Sequence, residues 1–176
     1  MQNYKARQTA LLGMLFALSM ALSFLESMLT PFFGLMPAMK LGLSNIVVMY
    51  ALLFLRTRTA VLLVVLKALF AFLTRGATAG FLSLCGGALS LAVMLVLLHL
   101  PVSSYIFCAC SALAHNLGQL AGAAVILSSR MALAYAPILL AAGLLVGGIS
   151  CTLAKALFAA LPGTAGEQCP GSPFKK

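Results

Sequence analysis

Residues 26–45 read E-S-M-L-T-P-F-F-G-L-M-P-A-M-K-L-G-L-S-N, with apolar runs on both sides. The stretch opens on Glu26, one of two acidic residues in the chain, and closes on Lys40 and the polar pair Ser44-Asn45. Pro31, Gly34, Pro37 and Gly42 fall between them. Proline removes an amide donor and clashes with the preceding turn, and glycine weakens a helix, so one continuous helix is not expected. Backbone that is not helical survives at membrane depth only where protein buries it or where it lines a watery cavity. Two arrangements fit: a partly inserted loop that covers a small-molecule site, or an ordinary connection between two helices.

The rest of the composition places these residues in a bilayer. Hydrophobic residues make up 63% of the 176 positions and charged ones only 7%, against about 25% charged in a soluble domain. The length suits one compact bundle of six helices, each crossing taking about 20 residues. The net charge of +9 does not imply nucleic acid, because the basic residues are scattered singly or in pairs between apolar runs. The first segment pairs a basic start (Lys5, Arg7) with a signal-like apolar run, but further spans follow, so it is expected to be a retained helix. The five cysteines lack metal-ligand spacing and read as small packing residues.

Six crossings are predicted, at 9–29, 38–55, 60–74, 77–100, 104–128 and 131–155. The charged turn Arg56-Thr57-Arg58-Thr59 separates the second from the third. With both termini cytoplasmic, the inner side holds Lys5, Arg7, Arg56, Arg58, Lys155, Lys175 and Lys176. The outer side then holds Lys40, Arg75 and Arg130, and this excess of inner cations favours that orientation. Residues 1–161 form one membrane domain, and the tail 162–176 reads as a disordered cytoplasmic end.

Small residues recur at four-residue spacing: Gly13, Ala17 and Ala21 in the first helix, and Gly80, Ser83, Gly87 and Ser90 in the fourth. Ala114, Gly118 and Gly122 follow in the fifth, and Gly143 and Gly147 in the sixth. Such stripes let helix backbones approach closely in lipid. Most of them serve packing within the bundle, whereas the Ala-rich face of the first helix also suits docking of a partner.

An ionisable side chain at the bilayer centre costs about 2.5–3.5 kcal/mol on insertion scales, so each one needs a reason. Glu26, Lys40, Asn45, Lys67, His115, Asn116 and Gln119 are the candidate substrate-binding residues, with Asn45, Lys67, Asn116 and Gln119 lining the pocket. Lys40 stands near its mouth, and 30–39 forms its lid. His115, Asn116 and Gln119 share one side of the fifth helix. Three cations (Lys40, Lys67 and Arg75) against Glu26 suit a ligand carrying phosphate or carboxylate. A Glu26–Lys67 pair that neutralises itself is the bland alternative, as is snorkelling of Lys40 and Arg75 to headgroups.

The chain contains no aspartate. It therefore cannot assemble the clustered carboxylates that hold magnesium in prenyl diphosphate chemistry, and it contains no G-x-x-x-x-G-K-[ST] phosphate loop. No catalytic residue, metal ligand set or cofactor is predicted, and an autonomous enzyme is not expected.

At K-L-G-L-S-N-I (40–46), S-L-C-G-G-A-L-S-L-A-V-M (83–94) and A-H-N-L-G-Q-L (114–120), the chain resembles a bacterial family. It is known as the Gx transporter family or heptaprenyl diphosphate synthase component I, and the resemblance runs through nearly all of 9–161. That family is similar to the substrate-binding S components of energy-coupling factor (ECF) transporters. The similarity implies six membrane helices, an outward pocket gated by the loop after the first helix, a transmembrane coupling subunit and two cytoplasmic ATPases. It also implies docking through an Ala-x-x-x-Ala face, which Ala17-Leu18-Ser19-Met20-Ala21 matches, with Gly13 one turn earlier. The synthase name implies an accessory role in isoprenoid-quinone synthesis, with the chemistry in a separate component. The sequence thus supports an importer's substrate-binding subunit in the bacterial plasma membrane, a non-catalytic synthase subunit, or a small channel.

Overall fold

The computed structural model describes residues 2–29, 32, 42–126, 136–137, 140–141, 143–145, 147–153 and 156. These residues are helical with short turns, and no strand occurs among them. In order they form α1 (Gln2–Leu29), α2 (Asn45–Phe54), α3 (Thr57–Arg75), α4 (Ala77–Leu97) and α5 (Ser104–Ile126), then a shorter α6 (Gly143–Leu153). α1, α3, α4 and α5 are each long and apolar enough to cross a membrane, so this is a membrane protein. Its large exposed side chains fit that solvent: Leu62, Leu69 and Leu73 of α3 and Phe24 and Met28 of α1 all face outward.

The second predicted crossing, 38–55, is corrected. Gly42–Ser44 form a turn, with Asn45 N donating to Gly42 O (2.9 Å) and Ile46 N to Leu43 O (3.2 Å). α2 therefore has only 10 residues, about 15 Å of helix against a hydrocarbon core of about 30 Å. It sits within the bundle: Asn45 to Leu53 are all buried. A helix that is apolar all round is one surrounded by protein or lipid, and here the surroundings are protein. Tyr50 stacks on Phe54 with ring centroids 5.0 Å apart, and both lie among Leu15, Leu63, Met94 and Phe107 in the core.

Other boundaries move less. Only Leu55 and Arg56 separate α2 from α3, so Arg58 belongs to the first turn of α3 and not to a four-residue loop. α4 ends at Leu97 instead of 100, and α5 is described to Ile126. Within the predicted sixth crossing, 131–155, the helix is described as Gly143–Leu153. The predicted lid 30–39, apart from Phe32, and the tail 162–176 lie outside the described residues.

Gly76 alone joins α3 to α4, with φ of 92° and ψ of 173°. Only glycine enters that region without strain. Such short reversals bring the C-terminal ends of α1, α3 and α5 together with the N-terminal ends of α2 and α4. The candidate site runs from that end into the middle of the bundle.

Candidate functional site

The site begins where α1 meets the turn before α2. From Thr9 to Leu29, the buried positions of α1 are Leu15, Ser19, Ser23 and Glu26, and their four-, four- and three-residue steps define one inward stripe. Glu26 is fully buried, and its Oε1 accepts hydrogen bonds from the backbone amides of Gly42 and Leu43 (the latter 3.3 Å). Two features allow this contact. Gly42 has φ of +100°, which turns its N–H toward the carboxylate and favours glycine. The unpaired amides at a helix start also carry partial positive charge, which favours an anion there. Arg75, half-buried at the end of α3, is near enough for its charge and that of Glu26 to attract.

Asn45, the first residue of α2, ties three helices together. Its Nδ2 donates to Ser90 Oγ on α4 (2.6 Å) and Ser111 Oγ on α5 (3.0 Å), while Ser90 Oγ donates to Ser111 O (3.0 Å). All three residues are buried, so each bond forms at low dielectric, where an unmet polar group is costly.

One turn along α5, Gln119 Nε2 donates to His115 Nε2 at 2.8 Å. His115, Asn116 and Gln119 are all buried, and glycines make room for them. A Cβ on Gly42 would stand 3.1 Å from His115 Cδ2, and one on Gly86 would stand 2.9 Å from Gln119 Cγ. A Cβ on Gly143 would stand 2.6 Å from Asn116 Nδ2. The polar face of α5 is thus fitted against the turn before α2, the middle of α4 and the start of α6.

Of the seven predicted substrate-binding residues, Glu26, Asn45, Lys67, His115, Asn116 and Gln119 are buried. Lys40 lies outside the described residues. Gly42 bridges Glu26 to His115 and Asn116. Lys67 lies on the inward face of α3, one turn from Val64, which packs where a Cβ on Gly87 would fall. Ser19, Ser23 and Ser111 are not among the residues expected at the site, and Ser90 is expected only in a packing stripe. Spacing held the signal for three of them: Ser19-Ser23-Glu26 and Ser111-His115-Gln119 each repeat along one helix face. The link from Ser90 to Asn45 has no counterpart in sequence.

Gly13, Ala17 and Ala21 are exposed, and nothing lies within 4 Å of a Cβ placed on Gly13. Their stripe faces away from the bundle beside Met14 and Met28, so the described residues do not use it for packing. The glycine stripes of α4 and α5 do serve internal contacts, with Gly80 against Phe72, Gly87 against Val64 and Gly118 against Cys85 and Gly86.

Below Gly42, between α2, α5 and α6, lies a cavity of about 10 Å³ lined by Asn45, Met49, Cys108, Ser111 and Ser150 among others. That is room for roughly one water molecule. Among the described residues, no three His, Cys, Asp or Glu side chains are grouped to hold a metal.

No match was found among curated proteins or among solved structures. Residues 15–157, which include every element from the buried stripe of α1 to α6, match the family model described as heptaprenyl diphosphate synthase component I, and the chain belongs to that family.

Proposed function

We propose that this chain is the membrane-embedded, substrate-binding subunit of an ECF-type importer in the bacterial plasma membrane. It captures a small polar or anionic nutrient or cofactor precursor at the outer face and has no chemistry of its own. The observation that supports this reading is the convergence of Glu26, Asn45, His115, Asn116 and Gln119 around the turn before α2, inside an otherwise apolar bundle. Polar groups held in a bilayer at this cost mark a ligand path more often than a structural need. Lys67 and Arg75 against Glu26 tip the charge toward anions, and Lys40 adds to that excess at the mouth. Parting of the Glu26 contacts to Gly42 and Leu43 would widen the site, which makes the turn before α2 the moving element of this reading.

A second reading is favoured by the family description: a non-catalytic accessory subunit in making heptaprenyl diphosphate for isoprenoid quinones, with the reaction in a soluble partner. Purification from native membranes, with mass spectrometry of co-eluting proteins and small molecules, separates the two. A transmembrane coupling subunit with ATPases decides for the importer. A prenyltransferase decides for the accessory subunit.

Two substitutions follow from the importer reading. Lys67→Ala should weaken binding of the co-purifying small molecule about tenfold or more, the worth of one hydrogen bond to a charged group. The thermal midpoint in detergent should be retained; unchanged affinity by calorimetry removes Lys67 from the site. Ala17→Leu with Ala21→Leu should abolish co-elution of the coupling subunit while leaving ligand affinity intact, because both positions are exposed. Persistent co-elution would move the docking surface elsewhere.

A further inference from the structure

We infer that the cavity between α2, α5 and α6 is a hydration site for one water molecule, held by the Asn45 carboxamide with the Ser111 and Ser150 hydroxyls. Asn45 also belongs to the proposed ligand site, so the water is assigned to the protein without its ligand, whichever ligand or partner that is.

Two separate observations lead to it. The first is size: about 10 Å³ is at the lower limit for one water and too small for an organic ligand. The second is hydrogen-bond accounting. Asn45 is 2% exposed, its Nδ2 is committed to Ser90 and Ser111, and its Oδ1 accepts no hydrogen bond among the described residues. A buried amide oxygen without a donor costs about 1–3 kcal/mol, and Asn45 itself lines the cavity. Turning the amide over would not remove the deficit, since a surplus N–H would replace the surplus oxygen.

The remaining walls complete the coordination. Ser111 and Ser150 bring hydroxyls that can donate as well as accept. A water that donates to Asn45 Oδ1 and receives from the two serines makes the three bonds usual for a buried water. A bare monovalent cation would also suit three oxygens. However, none of the residues lining the cavity carries a charge, and Lys67 and Arg75 outnumber Glu26 around the site. A neutral occupant is therefore favoured. Such a water would join α6, through Ser150, to the polar knot that already ties α2, α4 and α5.

Met49 and Cys108 form the sulfur wall of the same cavity, with Sγ and Sδ 3.9 Å apart, and they supply a local reporter. X-ray radiolysis of the intact protein in detergent, after mixing into H2(18)O, oxidises methionines that touch an ordered water even when bulk solvent cannot reach them. Met49 is 2% exposed and Met94 is fully buried away from the cavity, so the two form an internal pair. The expected result is 18O-labelled sulfoxide at Met49 with Met94 unlabelled. Equal labelling of the two, whether slow or fast, overturns the assignment. Ala112→Val, which extends a lining residue into the cavity, should abolish the Met49 signal, and an unchanged signal would overturn this location for the water. If that variant misfolds, Met94 becomes labelled, and the wild-type comparison still decides.

Discussion

Glu26→Ala is expected to cost several kcal/mol, because each of the two buried amides it serves loses its acceptor at about 1–3 kcal/mol. Against a total stability of about 5–15 kcal/mol, little folded monomer should survive size exclusion in detergent. The carboxylate is fully buried, accepts from the amides of Gly42 and Leu43, and attracts Arg75. Deleting it strands two amides at the start of α2 and removes a negative charge near Arg75. Because α2 is buried along Asn45 to Leu53, it cannot shift to find water for those amides. Glu26→Gln keeps an acceptor of the same shape and loses only the charge, so its thermal midpoint should fall between alanine and wild type. Met28→Ala, on the outward side of the same helix, should leave the midpoint in place. A stable Glu26→Ala protein would show that α1 does not hold the turn before α2, and the proposed gate there would lose its basis.

The family, the helical class and the membrane setting were legible in the sequence because they depend on summed properties: hydropathy over a window, the scarcity of charge, and several motifs together. α3, α4 and α5 were placed within a few residues, since Arg56, Gly76 and Pro101 stand between long, mostly apolar runs. α2 was not legible. A run such as Ile46–Leu53 looks the same whether lipid or protein surrounds it, and both reward apolar side chains on every face. Its true start at Asn45 depends on the positive φ of Gly42 and on the distant carboxylate of Glu26, neither of which leaves a local pattern.

The candidate site divides along the same line. His115, Asn116 and Gln119 stood out because three polar residues on one helical face in an apolar span are costly. Ser111 lay on that face, one turn before His115, and the rule that flagged them would have reached it. Serine escapes notice because its hydroxyl can bond to its own helix and needs no tertiary explanation. The Asn45–Ser90–Ser111 knot unites residues far apart in the chain, and only packing determines that they meet. The glycines of α4 gave half the answer: four-residue spacing showed that a helix approaches, but not that Gly80 and Gly87 face α3 while Gly86 faces α5.

Gly118→Ala is expected to be strongly destabilising. A Cβ there would stand 2.6 Å from Cys85 O, 2.8 Å from Gly86 Cα and 3.0 Å from Cys85 C. All three are backbone atoms, so no rotamer change relieves the clash, and α4 and α5 must separate. Overpacking of this kind costs about 1–3 kcal/mol, occasionally more. The separation also stretches the contacts from Asn45 to Ser90 and Ser111, which span the same two helices. Gly122→Ala meets Cys85 Sγ and Cβ at 3.3 Å, a side chain that can give way, so its loss should be small. Gly13→Ala meets nothing within 4 Å and should raise stability by up to about 1 kcal/mol through helix propensity. Thermal midpoints in detergent should therefore rank Gly13→Ala at or above wild type, Gly122→Ala slightly below it and Gly118→Ala far below. Equal midpoints for Gly118→Ala and Gly13→Ala would mean that α4 and α5 stand further apart. The cavity beside Ser111 and the polar knot above it would then lose the close contact on which both depend.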